Sequence, residues 1–426
     1  QNKFDPFNQV QSRIKEYQSV GHPNDKIELL ILGGTWSSYT RSYQEWSVRR
    51  CFNSMNADSP QAEEELQQPD PPDEKKAAAE IDLSHLKIAH AHNETATHRN
   101  VGLVIETRPD EISAEELRWL RQLGVTKVQM GAQSLDDRVL NLNLRGHTAA
   151  DTLKATTLLR AAGFKIVLHW MPNLLGATLE SDKQDFARLW ADGYAPDELK
   201  IYPTQLLESA ELYRYWQRGE YTPYTSAELI QLIADIKTTI PEYCRVNRII
   251  RDIPSTHVVE GNKRTSLRQD VHIELKKRGQ VCKCIRCREV KTSQVDVEDL
   301  SIQDLIYHPS LAEEHFISFN TSDSKLAGYL RLSLPDVSAP KLDMPDLEGA
   351  ALIREVHVYG QSLALGAERS GAAQHIGLGT QLLLEAEKIA RSKGFNKMAV
   401  IAAIGTRLYY ENRGFKRGEF YMTRDI

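Results

Sequence analysis

The first half of the chain alternates short apolar runs with amphipathic stretches at helical period. The runs Ile27–Leu32, Val101–Glu106, Lys127–Gly131, Lys165–His169, Glu198–Tyr202 and Arg245–Ile250 are short and unbroken. That is the pattern of strands buried on both faces of a parallel sheet. Between them, Ala114–Leu123 and Asp151–Ala162 carry apolar residues at helical spacing. Strand–helix repetition of this kind predicts an α/β fold, either a β/α barrel or a doubly wound sheet. In a barrel, the polar residues at the C-terminal strand ends line the site. Here those ends read Gly33-Gly34-Thr35, Glu106-Thr107-Arg108, Gln133-Ser134, His169 and Lys200–Tyr202.

The C-terminal part has a different order. A strand-like run, Ile353–Tyr359, precedes the turn Gln374-His375-Ile376-Gly377-Leu378-Gly379. A helix over Gln381–Ala390 then places Leu382, Leu383, Ala386 and Ile389 on one face. A strand over Met398–Ile404 follows, and Tyr409-Tyr410 stands before Gly414-Phe415. Gly377 and Gly379 let backbone N–H groups at the helix start approach a pyrophosphate, and the helix N-terminus adds positive partial charge. This order resembles that of the GNAT acetyltransferases, which bind acetyl-CoA.

Length and composition set the limits. A chain of 426 residues, 41% hydrophobic and 26% charged, is long enough for two or three globular domains. No apolar run approaches the roughly 20 residues of a membrane span, and the first residues are too polar for a signal peptide, so a cytoplasmic location without membrane contact is expected. Residues 57–80, rich in Pro, Glu and Ala, break the strand–helix rhythm and read as an exposed, flexible insertion.

Charge is uneven. Residues 245–291 hold thirteen Lys/Arg against five Asp/Glu, in a chain whose net charge is −5. Such a stripe is the footprint of polyanion binding, with a solvated face as the bland alternative. Its members include Arg245, Arg248, Arg251, Lys263, Arg264, Arg268, Lys276, Lys277 and Arg278.

Of the five cysteines, Cys51 and Cys244 stand apart while Cys282, Cys284 and Cys287 cluster. An odd, clustered set argues against a disulfide framework and for a reducing compartment. Three thiolates at this spacing can converge on one ion. Zinc would need a fourth donor, for which His272 is a candidate among other histidines. An iron–sulfur cluster and three inert cysteines are the alternatives.

The runs FDPF, LGGTWSSY, YQEW, ETRPD, GAQS, RGHT, LKIYPT, RDIP, CIRCREV, REVHVYG, QHIGLG and GTRLYY stand in one order along the chain. In that order the chain resembles, over nearly all its length, the family of the catalytic third subunit of Elongator. The resemblance implies a radical-SAM partial β/α barrel over 1–255, a basic, cysteine-containing, zinc-binding linker over 256–312 and a GNAT acetyltransferase-like domain over 313–426. It implies synthesis of 5-carboxymethyluridine at the tRNA wobble position from acetyl-CoA, by radical S-adenosylmethionine (SAM) chemistry with tRNA-stimulated acetyl-CoA hydrolysis.

Carried over by motif, acetyl-CoA meets Lys26, Glu355, Val356, His357, Val358, Gln374, Gly377, Leu378, Gly379, Thr380 and Tyr410. Lys200, Tyr202 and Tyr409 line the reaction cleft, and Gly33, Gly34 and Thr35 meet SAM. The basic stripe is assigned to the tRNA anticodon stem-loop. The family binds its 4Fe–4S cluster through a C-x9-C-x2-C motif ahead of FDPF. No cysteines here have that spacing, so the radical step requires ligands absent from this chain. The CKCIRC run resembles archaeal and bacterial members, which act without the multi-subunit assembly; a homodimer is left open. Two other readings compete: a protein lysine acetyltransferase with Glu355 as base, and a non-catalytic tRNA-binding module.

Overall fold

A computed structural model describes residues 4–57, 81–251, 253–264, 266–291, 295–359 and 377–426. The expected insertion, from residue 58 onward, and Gln374 lie outside the described residues. All six expected strands of the first half form: β1 (Lys26–Ile31), β2 (Arg99–Thr107), β3 (Lys127–Gln133), β4 (Lys165–Trp170), β5 (Glu198–Ile201) and β6 (Arg245–Ile249). They pair in parallel in chain order, giving an open partial β/α barrel. Three of its helices start on reciprocal caps, Thr148 with Asp151, Thr178 with Ser181 and Thr225 with Glu228. No helix among the described residues is long and apolar enough to cross a membrane.

A second, mixed sheet holds β7 (Ser301–Tyr307), β8 (Ala312–Asn320), β9 (Leu326–Pro335), β10 (Ala350–Val358), β11 (Lys397–Val400), β12 (Lys416–Arg417) and β13 (Met422–Asp425). The spatial order is β12-β13-β11-β10-β9-β8-β7, with β10 and β11 parallel. The amphipathic helix Leu378–Ser392 buries Leu378, Leu382, Leu383, Ala386 and Ala390 against it. This sheet begins at Ser301, ahead of the boundary at 313 that the sequence suggested. Strand β7 lies at the sheet edge with nearly every residue exposed, so no buried apolar run marked it. The strand expected over 398–404 stops at Val400, where the chain turns toward the barrel through a short 3-10 segment at Ile404–Thr406.

The two sheets share one core, which runs from Leu103 and Phe164 through Tyr329, Leu352 and Ile404 to Tyr421. Two glycines permit the approach. A Cβ on Gly163 (φ +77°) would lie 2.8 Å from Leu352, and one on Gly405 would lie 2.7 Å from the Asn100 carbonyl oxygen. Tyr243, just ahead of β6, stacks on Tyr307 of β7 with centroids 3.8 Å apart.

A chain of alternating charges crosses the same junction. From the barrel, Lys127 Nζ lies 2.7 Å from Glu28 and 3.3 Å from Glu198, and Lys165 Nζ lies 3.8 Å from Glu198. Lys165 then reaches across to Glu355 of β10 at 2.5 Å. Glu355 accepts from Arg331 Nε at 2.9 Å, and Arg331 lies 3.4 Å from Asp197. Asp197 also holds Arg354, which pairs with Glu314 at 2.8 Å as well; Arg160 ends the chain 3.6 Å from Glu314. Arg354, Asp197 and Glu314 are buried from solvent. Burial opposes charge on Asp197, but Arg354, Arg331 and Arg160 outweigh it and hold the carboxyl below its ordinary value.

Two outcomes follow from this packing. Replacing Arg354 with Met takes the nearest cation from buried Asp197 and Glu314, so unfolding in denaturant should show a loss of about 3–5 kcal/mol. The control Arg13→Met, at the exposed pair with Glu16, should lose under about 1 kcal/mol. The second concerns buried His315 on β8, whose Nδ1 faces Asp304 at 2.7 Å and Nε2 faces Glu313 at 2.9 Å. Glu313 also faces Lys393 and His308. Burial works against the imidazolium, yet the Asp304 and Glu313 hydrogen bonds raise its pKa. A raised pKa contributes stability that is complete below the unfolded value, about 6.5, and is lost as pH rises through the folded value. The stability gap between wild type and His315→Asn, measured by denaturation across pH 5–9, should therefore be widest at the acid end and narrow upward.

Candidate functional site

Along the inside of the half-barrel, alternate residues of each strand point inward, as the two-residue strand period requires. Many of those inward positions are polar: Glu28 on β1, Lys127 and Gln129 on β3, Lys165 on β4, Glu198 and Lys200 on β5, and Arg245 and Asn247 on β6. Together with Tyr329, Glu355, Val356, His357, Tyr359 and Tyr410 of the second domain, they line one interdomain cavity of about 920 Å³.

The upper end of the barrel interior is a hydrogen-bonded series. Lys200 Nζ donates to Gln129 Oε1, which also meets His169 Nε2 at 3.0 Å. His169 Nδ1 lies 3.7 Å from Glu106, and its ring meets Tyr202 edge-on at 5.6 Å. Burial, with the charges of Lys200 and Arg251, pushes His169 down to about 3, so its ring is neutral. Burial likewise holds the Lys200 ammonium below its ordinary value.

The second domain contributes a slot. β11 pairs with β10 only over Ala350–Ile353, which leaves Glu355, Val356 and His357 with no strand beside them on that side. A bulge between Ile353 and Glu355 re-aims the chain there. Farther along, Gly377 (φ +70°) opens the helix Leu378–Ser392, whose first turn carries no acidic residue. A Cβ on Gly379 would lie 2.7 Å from Tyr409 Oη, so glycine lets the phenol seat against the helix start. Arg413 stacks on the Tyr409 ring at 3.6 Å and donates to Thr380 Oγ1 at 3.2 Å. The free N–H groups and dipole of such a helix start suit a phosphate. Glu355 accepts from Tyr329 Oη (2.8 Å) besides Lys165 and Arg331. Despite burial, Lys165 and Arg331 keep its pKa far below the ordinary value.

Gly33 (φ +117°) and Gly34 (φ +151°) take backbone conformations that L side chains avoid, and with the end of β1 they border an adjoining cavity of about 1090 Å³, which shares Glu28, Leu30 and Leu32 with the interdomain one. Thr35 follows them directly. Lys26 and Cys51 line that cavity, and Lys26 is not brought to the interdomain one. Burial pushes the Cys51 thiol up to about 12, leaving it protonated.

The sulfurs of Cys282, Cys284 and Cys287 lie within 4.8 Å of one another, where Cys284 starts the short helix Ile285–Arg288. His272 is exposed; it lines the same 770 Å³ cavity as Cys282 and Cys287 but stands outside the sulfur group.

The basic stripe divides in two. Arg245 pairs with Glu289 at 2.7 Å and Tyr359 at 3.0 Å, Arg268 donates to the Val246 carbonyl, and Arg278 pairs with Asp235 and Glu274. Arg264 lies 3.5 Å from Asp270. Lys263, Lys276 and Lys277 are exposed, as are Arg248 and Arg251 near the barrel.

Sequence reasoning did not single out Lys127, Gln129, Lys165, Glu198, Tyr329 or Arg331. The signal was present in KVQ, ELK and RVN, whose period-two polar positions mark a charged barrel interior.

Residues 63–188 match the model of the radical SAM superfamily, and residues 196–277 match that of the radical SAM C-terminal domain. A Dehalococcoides mccartyi protein named tRNA uridine(34) acetyltransferase is 38% identical over 100% of this chain and 88% of its own length. The Danio rerio Elongator complex protein 3 is 30% identical over 100% of this chain and 74% of its own. The solved structure of the archaeal Methanocaldococcus infernus Elp3 with an N-terminal deletion superposes with a TM-score of 0.87 at 37% identity, covering 99% of this chain and 96% of that one. Sheet order, half-barrel, slot and likeness along the whole chain agree: this chain belongs to the radical SAM family of tRNA uridine(34) acetyltransferases and Elongator complex protein 3.

Proposed function

We propose that this protein modifies the wobble uridine of tRNA, with acetyl-CoA as the carbon source. The observation that carries the reading is the 920 Å³ interdomain cavity, which joins the polar barrel interior to the slot beside β10. A barrel reagent and a thioester held by the second domain would meet there.

In this reading Gly377, Leu378, Gly379 and Thr380 hold the pyrophosphate, with Tyr409 closing over the helix start. Val356, His357 and Val358 flank the acyl arm, and Tyr410 packs at its end. Lys200 and Tyr202 face the base from the barrel side. The Gly33-Gly34-Thr35 turn would hold the SAM amino group, and SAM, when bound, would supply radical chemistry there. The described residues do not make a site for the 4Fe–4S cluster, since only the buried, protonated Cys51 stands on that cavity. The Cys282, Cys284 and Cys287 sulfurs fit zinc, whose ~2.3 Å bonds to tetrahedral thiolates bring sulfurs within such a span.

Glu355 weighs against transfer to a lysine side chain. A general base needs a lone pair free to take a proton near neutral pH. Glu355 instead accepts from Lys165, Arg331 and Tyr329 and stays ionised.

Acetyl-CoA hydrolysis, followed by release of free CoA thiol, should rise on adding tRNA, while a lysine peptide stays unacetylated. Peptide acetylation without a tRNA effect would overturn the reading. The exposed lysines give a second outcome: Lys276→Glu with Lys277→Glu should weaken tRNA gel-shift binding. It should also flatten the slope of log affinity against log salt by about one per lost phosphate contact. Arg278 is left intact because its ion pairs brace the helix.

A further inference from the structure

Lys237 ends the helix Ser226–Lys237 and is fully buried, although a lysine in a last helical turn is ordinarily solvated. Its Nζ has one hydrogen-bond partner among the described residues, Cys287 Sγ at 3.9 Å. The nearest acid along its helix, Asp235, is engaged by Lys183 at 2.6 Å and by Arg278 at 2.6 Å. An ammonium removed from water persists only beside a compensating negative charge. The groups within reach that can carry one are the three clustered thiols.

We infer that Lys237 is the buried counter-ion of a metal–thiolate centre at Cys282, Cys284 and Cys287, and so fixes the charge of that centre. The inference rests on the zinc reading above. When a divalent zinc binds, the three sulfurs give up their protons as three Zn–S bonds form; one proton is held on the Lys237 amine as the ammonium and the others pass to solvent. Three thiolates on Zn²⁺ carry a net charge of −1, which one ammonium neutralises. The fourth ligand is then uncharged, either water or an imidazole such as His272. A fourth thiolate from buried Cys244 would leave a charge of −2 against Lys237, since Arg288, buried beside the cluster as well, faces Glu242 at 3.8 Å. Arg268 and Arg286 also border the cluster, but both reach solvent at the cavity and are screened there. Lys237 is thus a positioning residue, acting on the metal through the charge of its sulfurs.

The test uses the full chain purified with zinc present. Wild type should hold one zinc per chain. Lys237→Met, which keeps the length and removes the charge, should weaken zinc retention about 10–100-fold against a chelator. Its metal-free thermal midpoint should be no lower than that of metal-free wild type, which separates lost charge from lost packing. Zinc retained equally by Lys237→Met would overturn the role of Lys237 and leave the zinc reading standing. Wild type without zinc would overturn both. Cobalt substitution in wild type and Cys244→Ser needs no change at Lys237. Sulfur-to-cobalt charge-transfer absorption should report three thiolates in each, and four in wild type falling to three in Cys244→Ser would contradict the assignment.

Discussion

The ion chain from Glu28 to Arg160 is the constraint on which the rest of the molecule depends. It alternates acid and base through both domains, and its inner part, Asp197 with Arg354, Arg331 and Glu314, is sealed from water. Buried ion pairs add little net stability over apolar packing, because desolvation offsets attraction. Their effect is on orientation: each charge is tolerable only when its particular partner is in place. Sliding one sheet over the other would strand several charges at once. Gly163 and Gly405 then let backbone and apolar side chains close to contact distance around this polar spine.

The outer half of the same chain lines the cavity. Lys127, Lys165, Glu198 and Glu355 face the space in which the reaction is proposed, while their partners reach into the junction. The groups that fix the domain geometry are therefore continuous with those that shape the site. Glu355 illustrates the point, since its position beside the slot suggested a base and its three partners make it a fixed anion.

Much of the architecture could be read from the residues. The six barrel strands were visible because each is a short apolar run between helical stretches. The glycine turn at Gly377–Gly379 was visible because a helix start that admits phosphate restricts residue type. Other features were hidden for physical reasons. Strand β7 is exposed at a sheet edge, so burial left no periodic mark on it. The inward charges of β3 to β6 looked like strand boundaries, because a charged barrel interior departs from the apolar filling expected of a buried sheet. Lys237 sat unremarked at the end of an amphipathic helix, and only its burial against Cys287 distinguishes it. The basic stripe is a property of composition, whereas its division into internal braces and exposed lysines is a property of packing.

Differential scanning calorimetry of the full chain, with and without acetyl-CoA, tests the central claim most directly. If the junction welds barrel and second sheet around one shared cleft, unfolding is a single transition whose calorimetric and van't Hoff enthalpies agree. Acetyl-CoA should then raise that one midpoint as a whole. Two resolved transitions, with acetyl-CoA moving only one of them, would contradict it.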